Sequence, residues 1–346
     1  MTVTVEECDP RQHRAAIIDT LARHLTPHSN EARFQWMYLD NPAGRARTWL
    51  ARAGAEGPII GMAAAFPRRL TVQGRARIGW VLGDFCMAEE YRSLGPSVKL
   101  QRACLTVVEG ADDSLCYDFP SQSMMAVYRR LGIAPFRNVV RWAKPLRINR
   151  RVHTLIGNTV LSAGISALGN VAFRLVDAAK GNGLSVDVSS QDGDCDAEFA
   201  KVGEPETRLH MAALERTPEY LNWRYRRNPL ARTEMLTARR HGRVVGYAVY
   251  AQQGDDADLM DLFGEPDPEV ARGLVASLVS LLRRRGAQTL SAHVIEGHPL
   301  GRVLADRGFH RREAIPLVMY AGSNRSAFSE QLRAMDWRIM SGDRDT

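Results

Sequence analysis

The sequence predicts an α+β fold built as two copies of one domain, and three observations carry that prediction. First, two aromatic-rich segments recur, FQWMYLDNPAG (34 to 44) and YLNWRYRRNPLA (220 to 231), each running into Asn-Pro. Second, the same order follows each: an apolar strand with an early Gly, a strand carrying Asp, a helix, a strand, and a short helix closed by Gly. Third, equivalent positions keep nearly constant offsets, 187 for Trp36 and Trp223, 185 for Gly61 and Gly246, 177 for Asp84 and Asp261, and 176 for Gly132 and Gly308. Ordered self-similarity of this kind marks repeated structural units. The 346 residues also fit two domains of ordinary size.

Each element has a local reason. MTVTVEECDPRQHR reads as a strand and then a helix, without the charged-then-apolar pattern of a signal segment. The helix around Trp36 must stop at Asn41-Pro42, because a residue before Pro avoids the helical region. GPIIGMAAAF (57 to 66), VLGDFCM (81 to 87) and SLCYDFP (114 to 120) read as strands. SVKLQRACLTVVEG (97 to 110) and MMAVYRRLGI (124 to 133) carry apolar residues at helical spacing. In the second half the strands are GRVVGYAVYA (242 to 251), ADLMDLFG (257 to 264) and TLSAHVI (289 to 295), and the helices PEVARGLVASLVSLLRRRG (268 to 286) and GRVLADRGF (301 to 309).

This places one domain at residues 1–145, another at 201–346, and a joining segment at 146–200. The joint holds one long uncharged run, 154 to 173, whose Asn, Gly and hydroxyl residues make a poor membrane span. An interdomain helix is expected there, with an amphipathic helix lying on a membrane surface as the alternative. GNGLSVDVSSQDGDCD (181 to 196) reads as a flexible, turn-rich linker, and the terminal WRIMSGDRDT as a solvated tail.

Composition narrows the function classes. Hydrophobic content of 45% with 25% charged residues describes a globular protein with ample core. The net charge of +7 lies in short clusters such as Arg129-Arg130 and Arg283 to Arg285, without a long basic block. That argues against a nucleic-acid partner and leaves an anionic cofactor open. Five cysteines, odd in number and without C-x-x-C, suggest reduced thiols and a cytoplasmic location, with no disulfide framework and no zinc site. His293, His298, Asp258 and Asp261 lack metal-ligand spacing and read as polar strand ends and loop residues, so no metal is expected.

The chemistry-bearing stretch is EEYRSLGPSVKLQRACL (89 to 105). An Arg leads into a small-residue turn and then a helix, whose start offers unpaired N–H groups and a positive dipole end to an anion. A strand, this turn, a helix, and then a strand and a helix ending Y-x-x-x-G together resemble the GNAT acetyltransferases. The family's R/Q-x-x-G-x-G/A stands here as Arg92-Ser93-Leu94-Gly95-Pro96-Ser97, and its closing Y-x-K-x-G-F as Tyr128-Arg129-Arg130-Leu131-Gly132-Ile133. The motif match covers about residues 79 to 137, and the architecture extends over both halves. Ser97 replaces the family's last small residue, and Pro96 removes one amide from the cradle.

The resemblance implies two tandem GNAT-like domains that move an acetyl or longer acyl group from acetyl-CoA (or another acyl-CoA) to a small-molecule primary amine. Attack is direct in a ternary complex, without a covalent enzyme intermediate. It further implies pyrophosphate binding at Arg92 to Ser97, and a backbone amide around Phe85, Cys86 and Met87 that polarises the thioester carbonyl. Tyr128 matches the tyrosine that protonates the leaving thiolate, the alternative being a tyrosine packed on the core. Asp84 and Asp118 are the candidate bases. Asp84 has a counterpart in Asp261, which favours a shared structural role, and strand-end capping is the alternative for Asp118. The second half enters its helix through GEPDPEVARG and carries Leu304 in place of the tyrosine, so it is expected to be a degenerate copy. Two other readings stay open: an aminoacyltransferase of the cell-wall precursor type, and a non-catalytic module that binds acyl-CoA or a partner. Arg224, Arg226 and Arg227 would suit an anionic acceptor, and solvated faces explain them equally well.

Overall fold

The computed structural model describes residues 2–109, 114–147, 186–202, 211–322 and 326–345. The run at 154 to 173, expected as an interdomain helix, lies outside the described residues. Among the described residues, no helix is long and apolar enough to cross a membrane.

The first half runs β1 (Val3–Cys8), α1 (Arg14–His24), α2 (Glu31–Phe34), β2 (Arg47–Ala53), β3 (Ile59–Val72), β4 (Arg75–Met87), α3 (Leu94–Leu105), β5 (Leu115–Asp118), α4 (Gln122–Arg130) and β6 (Arg137–Pro145). The second runs β7 (Asp187–Gln191), α5 (Ala197–Ala200), β8 (Met211–Leu214), α6 (Pro218–Leu221), β9 (Glu234–Arg240), β10 (Arg243–Gln253), β11 (Asp256–Gly264), α7 (Pro268–Arg284), β12 (Thr289–Ile295), α8 (Leu300–Asp306), β13 (His310–Tyr320), α9 (Ser326–Ala334) and β14 (Asp336–Arg338).

The two aromatic segments adopt the same unusual local structure. α2 is capped by the Asn30 side chain and continues into a π-helical turn, Gln35–Leu39. α6 is capped by Thr217, begins with Pro218 and continues into a π-helical turn, Asn222–Arg226. Both turns stop just short of their Asn-Pro, as the steric conflict at a residue before Pro requires. They then meet. Trp36 Nε1 donates to the Trp223 carbonyl at 2.8 Å, Trp223 Nε1 donates to the Trp36 carbonyl at 2.9 Å, and the indoles stack at 5.3 Å. Each buried indole N–H finds its acceptor on the opposite half, a reciprocal contact of the kind a two-fold axis generates.

The sheet carries the same symmetry. Its order is β1-β2-β3-β4-β5-β13-β6-β12-β11-β10-β9-β7, which reads alike from either end once β6 is matched with β13. The last strands are exchanged between the halves: β13 pairs antiparallel with β5, and β6 pairs antiparallel with β12. The halves are therefore interlocked at the centre, where β6 and β13 also pair with each other.

Two expectations are corrected. The linker reading of 181 to 196 fails at Asp187–Gln191, an edge strand paired with β9. Its residues are mostly polar because only one face of an edge strand packs, here through Val188 with neighbouring Val186 beside α7. The terminal segment is not a solvated tail. Trp337, Ile339 and Met340 are buried, and so are Ser341 and Asp343.

Candidate functional site

β4 and β5 are parallel and paired only at Gly79 to Val81 with Leu115 to Tyr117. β4 then runs on to Met87 while β5 stops at Asp118, so among the described residues Leu82 to Met87 has no strand partner on the β5 side. A cleft of about 1150 Å³ occupies this fork. It passes through the sheet. Along β3, Ala64 faces the core shared with Ile17, Leu21 and Phe34 of α1 and α2, whereas Ala63 faces the core shared with Leu100 and Cys104 of α3. Both alanines line the cleft, which therefore opens on the α1–α2 face and on the α3–α4 face. Two reactants approaching from opposite faces would meet at the fork.

On the α3 face, Ser93 sits at the N-cap with extended backbone, yet its hydroxyl caps no amide, and the first helical turn holds no acidic residue. Pro96 lacks an N–H, which leaves the amides of Leu94 and Gly95 as the orphan donors of the first turn. A Cβ on Gly95 would meet nothing within 4 Å. Arg92 is fixed beside this turn, with Nε donating to the Met87 carbonyl at 3.0 Å and Nη2 to the His24 carbonyl at 3.4 Å. Arg92, Ser93, Leu94 and Ser97 line the cleft with Gln101 and Cys104. Ser93, Ser97 and Gln101 recur every four residues, the spacing that puts side chains on one helix face, so the sequence held a signal for Gln101.

At the fork, the structure brings Asp118, Tyr128 and Gln101 together. Tyr128 donates to Asp118 Oδ2 at 2.7 Å and accepts from Gln101 Nε2 at 3.0 Å. Tyr128 is 0% exposed and stands behind the cleft wall, while Asp118 and Gln101 form that wall. Burial pushes the Asp118 carboxyl up to about 7, against the lowering effect of the Tyr128 hydrogen bond. Burial and the adjacent carboxylate hold the Tyr128 hydroxyl well above its ordinary range, so the tyrosine keeps its proton and Asp118 is the group that titrates.

Asp84 is committed elsewhere. It sits at φ +49° where the β3–β4 ladder is irregular, and receives Arg33 Nη1 at 2.8 Å, Arg33 Nη2 at 2.5 Å and the Tyr38 hydroxyl at 2.6 Å. Asp261 is held the same way by Arg216 Nε at 2.7 Å, Tyr225 at 3.1 Å and Tyr247 at 3.2 Å. The shared structural role thus has a counterpart in each half. Phe85, Cys86 and Met87 all line the cleft, and burial pushes the Cys86 thiol up to about 12, away from nucleophilic thiolate.

Four cleft residues come from the second half and were missed in the sequence: Pro229, Leu230, Arg344 and Asp345. The terminal segment is threaded into place by Arg224, which donates to the Gly342 and Arg344 carbonyls at 2.9 Å each, and by Tyr117, which donates to the Asp343 carbonyl at 3.0 Å. Arg224 is buried in this task, Arg226 donates to the Gln191 carbonyl, and Arg227 pairs with Asp194 at the surface.

The equivalent fork in the second half is filled. β11 and β12 pair only at Asp256 to Leu259 with Thr289 to Ala292. Beyond that, the Leu262 amide meets Met340 Sδ at 3.3 Å, Arg338 Nη2 donates to the Leu262 carbonyl, and the Ile295 amide donates to the Ile339 carbonyl. The start of α7 is anionic. Asp267 caps it, and Glu265 and Asp267 are paired with Arg240 and Arg243 at 2.6 to 3.4 Å. His293 contacts Ser341, and His298 accepts from the Leu300 amide.

Neither a family model nor a curated protein matches the sequence. Solved structures do match the fold. A GCN5-related N-acetyltransferase from Anabaena variabilis aligns over 92% of this chain and 72% of its own, at TM-score 0.64 and 13% identity. A GCN5-related N-acetyltransferase from Kribbella flavida aligns over 92% and 71%, at TM-score 0.59 and 15% identity. The Saccharomyces cerevisiae N-myristoyltransferase with bound myristoyl-CoA aligns over 93% and 83%, at TM-score 0.56 and 10% identity. The fold is thus one shared with these GCN5-related N-acetyltransferases and the N-myristoyltransferase.

Proposed function

With the GNAT-superfamily fold as premise, we propose that the chain is an acyl-CoA-dependent N-acyltransferase that moves an acetyl group from acetyl-CoA to a primary amine in a ternary complex. The observation that carries this reading is the cleft through the sheet at the β4–β5 fork, with a bare helix start on one face and a near-neutral carboxyl at the crossing. The Leu94 and Gly95 amides, the Ser93 and Ser97 hydroxyls and Arg92 hold the pyrophosphate. A backbone amide of Phe85 to Met87 polarises the thioester carbonyl.

The ammonium first loses one proton to water. The amine nitrogen then attacks the carbonyl carbon, the C–S bond breaks as the tetrahedral intermediate collapses, and the second nitrogen proton passes through Asp118 to the departing thiolate. Asp118 suits both directions of transfer because its carboxyl titrates near neutrality. Tyr128, with its hydroxyl turned to Asp118 and away from the cleft, acts through that carboxylate as a positioning residue. The second half is the degenerate copy of a tandem pair, its fork closed by Met340 and its helix start anionic.

Thiol release from acetyl-CoA, followed with and without a primary amine, tests this reading. Amine-dependent release is expected. Acetyl-CoA binding without release in any amine would support the non-catalytic module instead.

A further inference from the structure

The cleft's second opening, on the α1–α2 face, has a composition of its own. The large hydrophobic side chains exposed among the described residues are Leu25, Ile78, Leu94 and Leu230, and all but Ile78 line this one cleft. Leu94 belongs to the helix start on the opposite face. Leu25, at the end of α1, is 46% exposed, and Leu230, reaching over from the second half beside Pro229, is 39% exposed. Singly exposed leucines need no explanation, but leucines from two distant segments converging on one cleft mark a binding surface.

Below them the wall carries the carboxylates of Asp118 and Asp345. Asp345 lies against Gly83, where a Cβ would come within 2.7 Å of the Asp345 Cβ and Cγ, so the glycine is what gives this side chain its place. Two cations, Arg33 and Arg344, share this wall. Arg33 spends both terminal nitrogens on Asp84, and the Arg344 guanidinium lies 5.4 Å from the Phe119 ring centroid. Burial and the nearby Asp84 hold the Asp345 carboxyl above its ordinary range, against the lowering effect of Arg344 and Arg33.

We propose that the acceptor is a primary amine carried on an uncharged apolar body, aliphatic or aromatic, with its ammonium held by Asp345 beside Asp118 and its body packed on Leu25 and Leu230. This substrate class rests on the acyltransferase reading, and it assigns the second half a share of the acceptor site through Leu230 and Asp345. An amine bearing its own carboxylate meets repulsion from Asp345, and a polyhydroxylated amine gains nothing from the leucines.

Calorimetry and turnover with octylamine, phenethylamine, glucosamine and glutamate test the inference, acetyl-CoA being the donor in the turnover arm. Octylamine and phenethylamine should exceed glucosamine and glutamate by at least about tenfold in kcat/KM, a discrimination within reach of one buried apolar contact and one charge. Asp345→Asn should raise the KM of both apolar amines about tenfold while acetyl-CoA affinity stays unchanged, and Leu230→Ser should erase the preference for octylamine over glucosamine. Gly83→Ala, which evicts the Asp345 carboxyl, should reproduce the Asp345→Asn effect and add nothing to it in the double variant. Glucosamine or glutamate matching the apolar amines overturns the proposal. So does the absence of heat on titrating octylamine into the protein, with and without acetyl-CoA. Octylamine that binds in an Asp345-dependent way supports the proposal even if acetyl-CoA proves not to be the donor.

Discussion

The two halves of this chain share topology, a buried Arg–Asp–Tyr cluster and a π-helical turn, yet differ at the fork between their central parallel strands. In the first, the fork between β4 and β5 is open and its helix start carries no acid. In the second, the equivalent fork is occupied by Met340, and Glu265 and Asp267 sit at the helix start, tied to Arg240 and Arg243. The lesson is that the scaffold and the site separate cleanly. Asp84 and Asp261 each anchor a buried Arg–Asp–Tyr cluster, one per half, whereas the features confined to one half are the candidates for function.

The largest expected effect tests the shared part. Arg33→Met and Arg216→Met each strand a buried carboxylate, and each should cost about 3–5 kcal/mol in denaturant unfolding. Arg216→Met should be the worse of the two, because Arg216 also pairs with Asp343 at 2.6 Å. Near-equal wild-type stability in both variants would mean that the matched clusters are incidental.

Next come the features of one half only. Asp118→Asn should lower kcat by about 10²- to 10³-fold while acetyl-CoA affinity persists. In the wild type the Asp118 carboxyl, raised to about 7, is protonated below that pH, so kcat should climb as pH rises through about 7. The variant's profile should lose that limb. An unchanged limb would move the proton transfer to another group.

A smaller effect is expected for Tyr128→Phe, which removes the hydrogen bond that lowers the Asp118 pKa. The limb should shift to higher pH, with kcat at neutral pH reduced by at most about 100-fold, since one charge-assisted hydrogen bond contributes about 1.5–3 kcal/mol. A loss as large as that of Asp118→Asn, without a shifted limb, would return the tyrosine to the role of direct acid.

Much of the comparison was legible in the sequence. The offset that relates Trp36 to Trp223 corresponds to a reciprocal contact in space, that of Asp84 to Asp261 to matched Arg–Asp–Tyr clusters, and the Asn-Pro stops ended both aromatic helices where backbone sterics demanded. The contrast between Arg92–Ser97 and Glu265–Glu269 was equally plain, because charge at a helix start is local. Exchange of β6 and β13 was not legible, since either apolar strand could have paired with its own half or with the other. Ser341 to Asp345 read as tail because its residues are small or charged. Their partners, Arg224, Arg216 and Tyr117, stand more than 110 residues away in the chain. Tyr128 was found by its motif, but the direction of its hydroxyl depends on Asp118 and Gln101 arriving from two other elements.

The most direct test of the asymmetry is a calorimetric titration of acetyl-CoA into the full chain, compared with Gly95→Glu and with the double variant Glu265→Gln, Asp267→Asn. One acetyl-CoA should bind per chain. Gly95→Glu should weaken that binding by at least about 100-fold by placing a carboxylate in the pyrophosphate cradle, the reverse of the helix-start preference for anions. The double variant should leave the stoichiometry at one, because Met340 still fills the second fork. Two sites in the wild type, or binding that survives Gly95→Glu, would contradict the account.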